Sequence, residues 1–101
     1  MSLEKIMERI IQPALDRASD LIPYFEVPKD PGRLVLFGLP GAVLDSLNLV
    51  SFVFILEEEV ERATGVQIKI TTQDVIETET PPFSSLGNLE QFLSRKIKEA
   101  A

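Results

Sequence analysis

Asp45-Ser46-Leu47 stands where a breaker-rich stretch meets a strongly amphipathic run, and this is the position in the chain best placed to do chemistry. In the plain reading it is a helix cap: Asp45 or Ser46 accepts a hydrogen bond from a free first-turn amide, which contributes about 1 kcal/mol. A helix start also favours an attached anion. Free amides and the positive end of the dipole stabilise a phosphate ester by about 0.3–1 kcal/mol at an exposed site, and a serine there can carry one.

Other candidates fall away on spacing. Gly38-Leu39-Pro40-Gly41 has the look of a phosphate cradle, but a P-loop needs Lys followed by Ser or Thr, and Ala42-Val43-Leu44 follow here. Glu57-Glu58-Glu59 could supply oxygen ligands, yet adjacent helical positions point in different directions; the run reads as a solvated face. No metal is expected. The chain has no Cys and no His, which removes disulfides, thiolate nucleophiles, zinc clusters and the imidazole general base together. The carboxylates have no visible acid–base partner, so the expectation is a protein without catalysis of its own.

With 101 residues, 45% of them hydrophobic, the chain suits one compact domain over 1–101 and is too apolar for intrinsic disorder. Ten Lys and Arg against sixteen Asp and Glu give a net charge of -6, which disfavours nucleic acid and anionic membranes. Met1 to Ile11 is interrupted by Glu4, Lys5, Glu8 and Arg9, unlike a signal peptide, and no stretch approaches the roughly 20 apolar residues of a membrane span. A cytoplasmic location is the expectation.

The elements that must position Ser46 are helical. Ile6, Ile10, Ala14, Ala18, Leu21 and Ile22 recur at steps of three and four, predicting a helix from about Leu3 to Leu21, kinked or restarted at Pro13. Pro23, Pro28, Pro31, Gly32, Gly38, Pro40 and Gly41 then mark a long loop, in which Leu34-Val35-Leu36-Phe37 should fold back onto the core. The most regular helix spans Asp45 to Ala63 and stops at Gly65. Leu49, Phe52, Val53, Leu56 and Val60 form its core face, while Leu47, Val50 and Phe54 point roughly 100 to 160 degrees away. Val66, Ile68 and Ile70 alternate with polar residues but lack a partner strand, so they read as extended loop. Thr71 or Thr72 caps a brief helix over Gln73 to Glu77, ended by Pro81-Pro82. Ser84 or Ser85 caps a last helix with Leu86, Leu89, Phe92, Leu93 and Ile97 inward and Lys96 and Lys98 near its C-terminal end. The fold class is therefore all-α: three main helices, one short helix and a long loop between the first and second.

Leu44-Asp45-Ser46-Leu47, the apolar helix through Ile55-Leu56 to Glu57-Glu58-Glu59-Val60, and Gly65 together resemble the acyl carrier protein family. In order of elements the resemblance covers nearly the whole chain, and its specific part runs from Leu44 to Gly65. It implies that a phosphopantetheinyl transferase moves 4'-phosphopantetheine from coenzyme A onto Ser46, whose neighbours Asp45 and Leu47 hold the helix start. The thiol then carries an acyl or aminoacyl group as a thioester. It further implies that Val50 and Phe54 are apolar docking positions, that Glu57 and Glu58 meet basic patches on partner enzymes, that a monomer visits those partners in turn, and that a short acyl chain is enclosed between helices. Carriers of fatty acid synthesis usually place acids where Asn48 and Ser51 stand here. That departure, with Pro13, the Leu34-Val35-Leu36-Phe37-Gly38 loop and Pro81-Pro82-Phe83-Ser84, is closer to stand-alone carriers of specialised pathways, loaded by an acyl-loading ligase or served by a condensing enzyme. The competing reading is an unmodified helical interaction module that binds a protein through Leu47, Val50 and Phe54.

Overall fold

The computed structural model describes residues 2–23, 25–30, 34–37, 42–76 and 81–101. Gly38-Leu39-Pro40-Gly41 and Glu77 lie outside the described residues. The fold is a small all-α bundle, as the periodicities require, and no strand occurs among the described residues.

The first rod begins at α1 (Leu3–Ile6), capped by the Ser2 hydroxyl, which accepts from the Lys5 amide at 3.3 Å. It passes through a π-helical turn, Met7–Ile11, into α2 (Gln12–Leu21). The π turn is how the chain accommodates Pro13. Proline lacks an amide proton and its ring crowds the carbonyl four residues earlier, so a standard turn ending there is disfavoured. The turn widens instead, with the Gln12 amide donating to the Met7 carbonyl, and Pro13 falls in the first turn of α2, where its missing donor is not needed. Ile6, Ile10, Ile11, Ala14, Leu15 and Ala18 are all buried along this rod.

The loop after α2 does fold back. Leu34 and Leu36 are buried, and the amides of Leu36 and Phe37 both donate to the Phe83 carbonyl at 3.0 Å. The Val43 and Leu44 amides donate to Val35 and Leu36 at 3.0 Å, so the approach to the next helix is hydrogen-bonded to the part of the loop seated in the core. That helix, α3 (Ser46–Thr64), stops at Gly65, whose φ of 74° is the left-handed conformation that glycine adopts without a Cβ penalty. Phe52 on α3 stacks on Phe25 at 5.9 Å and meets the edge of Phe83 at 6.3 Å, joining the loop, the helix and the lead into the last helix.

Residues 66–70 run extended with Ile68 and Ile70 buried. The short helix α4 (Thr72–Val75) has a complete capping box between Thr71 and Asp74 and is shorter than the spacing predicts. Last comes α5 (Leu86–Ala100), capped by Ser85, with Leu86, Leu89, Phe92, Leu93 and Ile97 buried as the pattern requires. No helix among the described residues is long and apolar enough to cross a membrane.

Candidate functional site

Ser46 is the first residue of α3 and is exposed. The cap belongs to Asp45: its extended backbone (φ -87°, ψ 176°) turns the carboxylate onto the Asn48 amide, which donates at 2.7 Å. The serine hydroxyl is therefore not needed for capping. Leu47 is 79% exposed and contributes no packing to the helix start, because the second helical position lies well away from the face that Leu49 and Phe52 bury.

Beside Ser46 opens a pocket of about 360 Å³. Leu49, Val50 and Val53 of α3 form one side, Phe37 of the returning loop another, and Ile70 with Val75 the far side. No charged side chain lines it among the described residues. Sequence reasoning places Val53 in the core and does not find this pocket, because its far side comes from a segment with no helical period. The inward alternation of Val66, Ile68 and Ile70 is the signal that points to it.

Val50 and Phe54, 68% and 60% exposed, stand on the open face of α3. There they border a second groove, about 450 Å³, shared with Arg17 and Leu21 of α2. The two glutamates beside them are engaged within the chain. Glu57 is half-buried and accepts the Ile70 amide at 2.9 Å; Glu58 accepts from Arg17 at 2.9 Å.

The structure corrects the solvated reading of the Glu57-Glu58-Glu59 run at its third residue. Glu59 is 1% exposed and paired with Arg17 at 3.2 Å and Arg62 at 3.3 Å. It follows Leu56 by three positions, Ile55 by four and Phe52 by seven, which puts it on the buried face facing α2. Hydrogen bonding to Glu58 is the main influence raising the Arg17 pKa above its ordinary value; desolvation opposes it, and Glu59 adds to the rise. Lys96, expected to serve the α5 dipole, instead pairs with Asp74 of α4 at 2.9 Å. Burial alone would raise the Asp74 carboxyl, but hydrogen bonds from Thr71 and Lys96 outweigh it and hold the group below the ordinary aspartate range.

No group of acidic side chains among the described residues is arranged to hold a metal ion. Compared with known proteins, the chain matches no family model, no curated protein and no solved structure.

Proposed function

We propose that the chain is a carrier protein that tethers an acyl or aminoacyl group on 4'-phosphopantetheine at Ser46 and presents it to the enzymes of a pathway. One observation carries this reading: an exposed serine, free of the capping role that Asp45 fills, opens the first turn of α3 at the rim of an apolar pocket. An arm attached there has solvent on one side and a place for apolar cargo on the other.

In the loading step, a transferase brings the Ser46 hydroxyl onto the pyrophosphate of coenzyme A. The serine–phosphorus ester forms as the bridging bond to the nucleotide breaks, the nucleotide leaves as 3',5'-ADP, and the hydroxyl proton passes to a base on the transferase. Phosphopantetheine supplies the thiol that a chain without cysteine lacks. Asp45 holds the helix start and keeps Ser46 at its surface. With no charged side chain among its described lining residues, the pocket suits an apolar acyl chain better than a charged aminoacyl group.

Docking falls to Val50 and Phe54, with Glu57 and Glu58 acting through the negative field of the helix, since both already accept hydrogen bonds within the chain. Fixed acidic charge speeds encounter with basic patches on a ligase or condensing enzyme, and apolar contact fixes register. Such service suits a monomer in the cytoplasm.

The test is the intact mass of the full chain after incubation with coenzyme A and a broad-specificity phosphopantetheinyl transferase, with Ser46→Ala alongside. Wild type alone should gain one phosphopantetheine group; a folded wild type that gains none sinks the reading. The exposed Leu47, Val50 and Phe54 favour the second reading, an unmodified interaction module, for which Ser46→Ala should be silent.

A further inference from the structure

The pocket beside Ser46 has one side built unlike the rest. Its α3 side belongs to a 19-residue helix that buries Leu49, Phe52, Ile55, Leu56 and Val60. The opposite side, residues 70–76, contains a helix of four residues that fully buries none of them, and Ile76 is 56% exposed. A helix this short does not hold itself in water, where about 12–15 residues are marginal. Elements with few buried apolar contacts lie at the low end of local stability.

Ile70 anchors the segment in the core and Val75 packs partly against it, so beyond that apolar seat polar ties set how closely residues 71–76 lie to the bundle. The Thr71–Asp74 capping box fixes its shape but lies wholly within it. Among the described residues, two polar side-chain ties reach the bundle. At one end the Glu57 carboxylate on α3 accepts the Ile70 amide at 2.9 Å. Toward the other, the Lys96 ammonium on α5 meets the Asp74 carboxylate at 2.9 Å while lying 5.8 Å from the centre of the Phe92 ring. Thr71 and Thr72 stand between them and Val75 follows directly after Asp74; all three line the pocket, as does Ile70.

We infer that residues 70–76 are an adjustable wall, and that Glu57 and Lys96 are positioning residues whose ties to Ile70 and Asp74 set the length of apolar chain the pocket accepts. The inference rests on the carrier reading only in taking that chain to be tethered cargo. It also gives Glu57 work inside the molecule, distinct from meeting a partner.

The experiment uses the unmodified full chain and free 1-hexanol and 1-decanol as probes. Binding is followed by the methyl resonances of Val53 and Val75, and wall opening by amide hydrogen exchange. In Glu57→Ala and Lys96→Met, exchange over Ile70–Ile76 should quicken about fivefold or more while α3 and α5 are unchanged. The ratio of decanol to hexanol affinity should rise about threefold as the open wall becomes more populated. Glu57→Gln, which keeps an acceptor, and Lys96→Arg, which keeps the charge, should restore both readouts toward wild type.

Exchange that quickens equally through α3 and α5, or an affinity ratio unmoved in both variants, overturns the inference. Should the variants not fold, wild type alone decides. Its amides over 70–76 should exchange at least about tenfold faster than those of Leu56 and Val60, and equal protection overturns the proposal. The mass assay on Ser46 is a separate readout, so failure of the carrier reading leaves these outcomes unaffected.

Discussion

Arg17 of α2 donates to Glu59 of α3 at 3.2 Å, pairing a glutamate side chain that is 1% exposed with an arginine side chain that remains 32% exposed. The pair joins two helices through a group that cannot be left alone in the core. Removing one partner of a buried pair strands the other, whereas replacing the charge by a well-packed apolar side chain removes the desolvation problem with it. Glu59→Ala should therefore cost about 1–3 kcal/mol, less than a fully enclosed pair because Arg17 and Arg62 can be rehydrated. Glu59→Leu should stay within about 1 kcal/mol of wild type. Urea midpoints for the two variants check the order, and an equal loss in both would contradict it.

Two phenylalanines on α3 should respond in opposite ways. Phe52 is fully buried between Phe25 and Phe83, and truncation to Ala should cost about 3–5 kcal/mol, enough to unfold much of the population. Phe54, 60% exposed, should shift stability by no more than about 0.5 kcal/mol on the same change. Under the carrier reading Phe54→Ala instead slows loading by partner enzymes, seen as a raised KM for the carrier.

Asp45 and Ser46 are adjacent yet separable. Asp45→Ala removes the cap on the Asn48 amide and should lower stability by about 1 kcal/mol. Ser46→Ala should leave the thermal midpoint almost unchanged while abolishing the mass gain. A Ser46→Ala variant as destabilised as Asp45→Ala would show that the hydroxyl holds the helix start after all.

The Asp74 carboxyl contributes a pH-dependent share of stability. Its folded value lies below the unfolded one, so the folded state binds this proton less readily. The contribution is complete above the unfolded value of about 3.9 and is lost as pH falls through the folded value. The stability difference between wild type and Asp74→Asn should thus be constant from pH 7 to 5 and shrink below about pH 4. Denaturant unfolding across that range measures it, and a difference that grew on acidification would reverse the sign.

Gly65 tests the backbone alone. A Cβ there meets nothing within 4 Å, so Gly65→Ala should lose only the left-handed preference, about 1 kcal/mol.

Much of this fold is legible along the chain because helices are local. The buried faces of α3 and α5 follow from spacings of three, four and seven, the Thr71–Asp74 cap from its own offset, and the stop of α3 from Gly65. Pro13 announces an irregularity without saying which; the π turn is the form that lets the rod accept Pro13 while burying Ile6 before the turn, Ile10 and Ile11 within it and Ala14 after it. The exposed Val50 and Phe54 follow from helical phase, and the burial of Glu59 is written in that same phase for a reader who extends the count past Leu56.

Pairings between distant segments are another matter. The amino-acid sequence alone determined the all-α class, the helix start at Ser46 and the face of α3 that turns inward, since each depends on residues within a few positions of one another. Only the tertiary structure decided that Arg17 meets Glu59, that Lys96 leaves its own helix end for Asp74, that Glu57 takes the Ile70 amide, and that Ile70 and Val75 close a pocket beside Ser46. A long polar side chain has many partners within reach of an unfolded chain. Which one it keeps is settled when the apolar faces have packed and little room remains for the others.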